Sequence, residues 1–131
     1  MQARLEHVNI TVSDPDRTAA ILIRLFDWQV RWAGGAMAGG RTVHVGGEDQ
    51  YLALYAQEDS NGAPLEWAKG RPLNHVALTV DDLEATERRV LEAGLTPFNH
   101  ADYEPGRRFY FFDPDGIEYE VVSYNQAREA V

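Results

Sequence analysis

The sequence predicts an α+β fold in which two βαβββ modules form a curved mixed sheet around a cleft, with the helices on the outer face. Three observations predict it. LEHVNITVSD, Leu5 to Asp14, and LNHVALTVDD, Leu73 to Asp82, carry Leu, His, Val, Thr, Val and Asp at matching positions 68 residues apart. Each copy runs from a period-2 segment into one of helical period, and three short extended runs follow each helix.

In the opening strand of the first copy, alternation assigns Val8, Ile10 and Val12 to the face a helix covers and His7, Asn9 and Thr11 to the other. Val76, Leu78 and Val80 divide from His75, Ala77 and Thr79 in the same way in the second copy. Helices are predicted over Pro15 to Phe26 and Leu83 to Ala93. The first is capped by Ser13 or Asp14 ahead of Pro15, the second by Asp81 with Glu84 three residues on, and Gly94 closes it as a C′ residue. The extended runs are Gln29 to Trp32, Arg41 to Val45 and Tyr51 to Tyr55, then Pro97 to Asn99, Arg107 to Phe112 and Ile117 to Val122. AGGAMAGG, Ala33 to Gly40, has no phosphate-loop pattern and reads as a flexible connector. The polar stretch with Gly62, Pro64, Gly70 and Pro72 is the link between modules. The chain is thus one domain, residues 1–131, with module 1 about 1–57, a linker about 58–72 and module 2 about 73–131. A four-stranded sheet with one helix is too little to stand alone, so the modules pair within the chain or between chains.

Composition narrows the function. With 21 acidic against 12 basic residues the formal charge of the chain is −9, which repels the phosphates of nucleic acid and the anionic face of a membrane. The sequence has no cysteine, so any metal takes nitrogen and oxygen ligands. MQARLEHVNI lacks the pattern of a signal peptide, and no apolar run reaches the length of a membrane span; the expectation is a soluble, cytoplasmic protein.

The question with most chemical content is why FYFFDPDGIEYEVV, Phe109 to Val122, resumes after its turn with Glu120 on a half-buried strand. Alternation sends Ile117, Tyr119 and Val121 to the core and Glu118, Glu120 and Val122 to the front, the side of His7 and His75. Two imidazoles and a carboxylate with open positions suit a divalent metal, Fe, Mn, Ni, Co or Zn, and chelation stabilises a carboxylate that burial alone disfavours. The alternative is that His7 and His75 are twins because the repeat duplicated one structural residue. His44, on the same face, is a candidate general base or a histidine bonded to a neighbour. NHADYEPGRRF, Asn99 to Phe109, holds Tyr103 and Arg108 as candidate catalytic residues and Arg107 as a candidate substrate contact, a segment expected to close over a substrate and offer an arginine to an anionic oxygen, or is a solvated hairpin. Tyr51 and Tyr55 are candidates for an aromatic substrate wall, with Trp28, Trp32 and Trp67 as lesser ones; packing is the competing role.

LEHVNITV, LNHVALTV and YFFDPDGIEYEVV together resemble the vicinal oxygen chelate superfamily, which includes lactoylglutathione lyase, extradiol dioxygenases and the fosfomycin- and bleomycin-resistance proteins. The resemblance covers essentially the whole chain. It implies paired βαβββ modules around a cleft, His7, His75 and Glu120 as metal ligands, and a homodimer. Lactoylglutathione lyase has a further acidic ligand on the fourth strand that also serves as base; the matching position here is Ala53, which can neither bind a metal nor accept a proton. The expected function is a metal-dependent enzyme chelating a small oxygen-rich substrate, by lyase, isomerase, transferase or dioxygenase chemistry. The alternatives are a metal-free binding protein of the bleomycin-resistance kind and a structural metal site with closed coordination.

Overall fold

The computed structural model describes residues 2–66, 68–70, 72–103 and 106–125, with the side chain of Tyr103 outside that set. Its elements in order are β1 (His7–Thr11), α1 (Pro15–Phe26), β2 (Gln29–Gly35), β3 (Arg41–Gly46), β4 (Tyr51–Ala56), β5 (Val76–Thr79), α2 (Leu83–Glu92), β6 (Phe98–Tyr103), β7 (Gly106–Phe112) and β8 (Glu118–Ser123). The chain divides into two compact units, Met1–Leu65 and Glu66–Val131.

In the first unit, α1 starts at Asp14, whose backbone is extended and whose carboxylate accepts the Arg17 N–H at 3.1 Å. Pro15 occupies the first turn, where no amide hydrogen is needed. The helix buries Thr18, Ala19, Leu22 and Leu25, and it packs on β2, β3 and β4. Against it lie Val43, Val45, Leu52 and Leu54, none more than 6% exposed. The sheet order is β1-β4-β3-β2, with β1 parallel to β4 and the other pairs antiparallel.

The second unit repeats this topology as β5-β8-β7-β6, with β5 parallel to β8. Here α2 packs on β7 and β8, whose Phe109, Phe111, Tyr119 and Val121 are fully buried. Phe111 and Tyr119, opposite each other in the register, stack at 5.1 Å. Between β7 and β8 the Asp-Pro-Asp-Gly turn closes through Gly116 N–H donating to the Asp113 carbonyl at 2.9 Å, with Gly116 at φ +86°, where L side chains are disfavoured. Asp113 Oδ1 also accepts the Asp115 and Ile117 amides at 2.9 and 3.0 Å.

The predicted α+β class and module order hold, with local corrections. The cap of α2 is Asp82, which accepts the Ala85 N–H at 3.0 Å, not Asp81. Val8 is 37% exposed, because α1 lies over the other three strands and not over the start of β1. AGGAMAGG is not a loose connector: β2 continues through Gly35, paired with Arg41, and a 3₁₀ turn over Met37–Gly39 follows. Ladder hydrogen bonding here overrides the weak strand preference of glycine. Gly40 is needed for space, since a Cβ there would sit 2.4 Å from the Ala56 carbonyl oxygen. The run predicted over Pro97 to Asn99 extends to Tyr103, paired with β7 across an irregularity between Phe98 and Ala101.

Candidate functional site

Apart from Arg107, the predicted residues whose side chains are described stand on the sheet face away from the helix of their own unit. In the first unit these residues form a ladder of rings, one per strand. His7 on β1 stacks on Tyr51 of β4 at 4.8 Å, Tyr51 stacks on His44 of β3 at 4.6 Å, and His44 meets Trp32 of β2 at 5.3 Å. These separations are close to the spacing of neighbouring strands, so the rings stand upright on the sheet and turn their edges outward. The Arg31 guanidinium lies 4.5 Å from the Tyr51 ring centroid. Burial, then the positive charges of His7 and Arg31, hold His44 below the usual histidine range, partly opposed by Glu6; it is neutral near pH 7.

His7 Nδ1 lies 2.8 Å from Glu6 Oε1, and the bond from His7 holds the Glu6 carboxyl below its usual value. A carboxylate only accepts, so Nδ1 carries the proton of this bond and Nε2 is the ring nitrogen the bond does not use. Tyr55 donates from its hydroxyl to the Met37 carbonyl at 3.0 Å and so braces the 3₁₀ turn. Ala53 is 2% exposed and pairs in the register with Asn9 and His44; no acidic group stands there.

The second unit brings together three predicted residues. His75, just before β5, puts Nε2 2.9 Å from Glu120 Oε1, and Arg108 donates from Nη1 to Glu120 Oε2 at 3.0 Å. Glu120 is 7% exposed. His75 Nδ1 lies 2.8 Å from Asn74 Oδ1, an acceptor, so Nδ1 carries the proton of that bond and Nε2 is the nitrogen turned to Glu120. Thus Glu6 and Asn74, each just before its histidine, do the same job in the two copies. At 2.9 Å either a proton on Nε2 makes this contact an ion pair or a cation takes the proton's place, and an imidazole nitrogen beside a carboxylate oxygen is a donor set that suits a divalent metal. Among the described residues, no group of three His, Asp or Glu side chains is ready to hold a metal ion.

Arg107 and Arg108 diverge as neighbours on a strand must. Arg107 is on the helix side, held by Glu84 of α2, which keeps its guanidinium charged, while Arg108 is on the Glu120 side. The side chain of Tyr103 and all of Trp67 lie outside the described residues. The sequence reading left out three contributors: Glu6, Asn74 and the buried Glu118, which Lys69 of the connecting segment meets at 2.5 Å. Alternation placed Glu118 beside Glu120, but nothing in the sequence pairs it with a lysine 49 positions away. A cavity of about 380 Å³ at the start of α1, lined by residues such as Ser13, Asp16, Arg41 and Glu58, contains none of the predicted site residues.

Two βαβββ units, each presenting a histidine with an oriented ring at the same position, define an α+β chain of repeated-module class. The chain belongs to the Glyoxalase/Bleomycin resistance protein/Dioxygenase superfamily, whose pattern it matches over residues 4–121. Among solved structures it resembles a glyoxylase/bleomycin resistance protein/dioxygenase domain from Frankia sp. EAN1pec, at 23% identity and TM-score 0.80, covering 100% of this chain and 96% of that one. It also resembles the fosfomycin resistance protein FosX from Mesorhizobium loti, at 25% identity and TM-score 0.71, covering 93% and 92%. FosX from Listeria monocytogenes, solved with Mn(II) and sulfate, matches at 17% identity and TM-score 0.73, covering 96% of each chain. No curated protein sequence matches. No helix among the described residues is long and apolar enough to cross a membrane.

Proposed function

We propose that this chain is a metal-dependent enzyme in which His75, Glu120 and His7 hold a divalent ion that binds a small oxygen-rich substrate. His7 comes from the same chain or from a second copy in a homodimer. The observation that carries the proposal is the 2.9 Å approach of His75 Nε2 to Glu120 Oε1 with Asn74 fixing the opposite ring nitrogen. Fe, Mn, Ni, Co and Zn all accept two imidazoles and a carboxylate, and each supplies Lewis acidity at two substrate oxygens or, for the redox-active ones, activation of dioxygen. His44, held neutral, is the candidate for accepting a substrate proton, a role Ala53 cannot fill. Tyr51 supplies an aromatic wall and Arg108 a contact for an anionic oxygen. Arg107, held by Glu84 on the helix side, has no part in the proposal.

The test is elemental analysis of tag-free protein purified without chelators. Near-stoichiometric metal per chain is expected, lost in His75→Ala and Glu120→Gln while far-UV circular dichroism stays unchanged. Unchanged metal in Glu120→Gln would remove that residue from the site.

One observation favours a second reading. The Glu120 carboxylate is already compensated by the Arg108 guanidinium at 3.0 Å, with His75 beside it, as suits a metal-free small-molecule binder. Protein that lacks metal and takes none up when Mn(II) or Zn(II) is added, yet binds an aromatic ligand saturably, would establish this reading over the first.

A further inference from the structure

We infer that Arg108 competes with the metal for Glu120, and that a small oxyanion relieves the competition, so that metal and oxyanion bind cooperatively. The inference rests on the metal site proposed above and adds to it the charge class of the substrate.

Each oxygen of Glu120 is engaged, Oε1 by His75 and Oε2 by Arg108. In the β7–β8 register Arg108 faces Val122 and Glu120 faces Tyr110, so the pair is diagonal across two strands. The two side chains are 16% and 9% exposed, which leaves little water to screen them. A divalent ion taking His75 and Glu120 therefore meets a guanidinium already bonded to one of its ligands. Arginine cannot escape by losing a proton. It either leaves Oε2 or receives an anion, and its planar fork suits the paired oxygens of a phosphate, phosphonate, sulfate or carboxylate. Neighbouring cations are committed to carboxylates outside the proposed metal site: Arg107 to Glu84 and Lys69 to Glu118. Arg108, by contrast, has a proposed metal ligand as its partner. Linkage requires the effect to be mutual: if metal frees Arg108 for an oxyanion, the oxyanion tightens the metal by the same factor.

The test is calorimetric titration of the full chain with Mn(II), in chloride and in sulfate at equal ionic strength, for wild type, Arg108→Gln and Arg108→Lys. In chloride, Arg108→Gln is expected to bind Mn(II) about tenfold more tightly than wild type, as removal of a nearby like charge predicts, while Arg108→Lys stays close to wild type. Sulfate is expected to tighten Mn(II) binding severalfold in wild type and to leave Arg108→Gln unchanged. Equal or weaker binding by Arg108→Gln in chloride overturns the inference while leaving the metal site standing. So does a wild type indifferent to sulfate, an arm that needs no variant to fold. No Mn(II) binding by any of the three proteins overturns the metal site itself.

Discussion

Asp113 shows how far one buried carboxyl departs from its solution behaviour. It is 6% exposed, and although Oδ1 accepts two turn amides, Oδ2 has no hydrogen-bond partner. Burial outweighs the amides, with Asp115 adding repulsion, and pushes the pKa up from 3.8 to about 6. An acid with a raised folded value binds its proton more tightly folded than unfolded. Its stabilising protonation is present below the unfolded pKa and is lost as pH rises through about 6. Two units correspond to about 3 kcal/mol. Asparagine keeps the amide acceptor without a charge, so Asp113→Asn is expected to be more stable than wild type at pH 7.5, by up to about 3 kcal/mol, and close to it at pH 4.5. Urea midpoints at the two pH values check this; an equal difference between the proteins at both would show that Asp113 does not titrate in this window. The buried Tyr119 hydroxyl is pushed the same way, by burial and then by the charges of Asp113 and Asp115.

Among the elements, those whose periodicity is strong were legible, and those held by a neighbour's backbone were not. α1 begins and ends where its cap, proline and apolar stripe place it, from Pro15 to Phe26. β6 was read three residues long because NHADY has no apolar alternation; its ladder partner β7, not its own side chains, makes it a strand. The α2 cap was misplaced by one residue because two aspartates precede the helix, and the Glu84 spacing favoured the wrong one. The backbone decides between them: Asp82 is the residue whose side chain reaches an orphan amide, while the Asp81 carbonyl accepts the Asn125 side chain at 2.8 Å. Asp82→Ala is therefore expected to cost about 1 kcal/mol, the usual penalty for a lost N-cap, and Asp81→Ala clearly less. Chemical denaturation of the two variants side by side checks the assignment, and equal losses would refute it.

For the whole molecule, the 68-residue recurrence of Leu, His, Val, Thr, Val and Asp carried more information than any single motif, because it set module order and gave His7 and His75 equivalent positions in their modules. The polar pairings around the proposed site stayed hidden, since Arg108 with Glu120 and Lys69 with Glu118 depend on strand register and loop path, which no local spacing encodes. Net charge acts at this scale too. A chain at −9 concentrates divalent cations around itself and repels anions, so the proposed site gains metal affinity from charges that never touch the ion, and added salt removes that gain. Metal that binds the folded state alone must also raise its unfolding temperature, by a stabilisation of about 2.7 kcal/mol at a concentration 100 times Kd. Thermal unfolding followed against Mn(II) is therefore expected to shift upward in wild type, to shift less at 0.5 M chloride than at about 0.05 M, and not to shift in His75→Ala. An equal shift in wild type and His75→Ala would place the ion elsewhere on the acidic surface. A shift indifferent to salt would mean that the site owes its affinity to its own ligands and nothing to the charge of the chain around it.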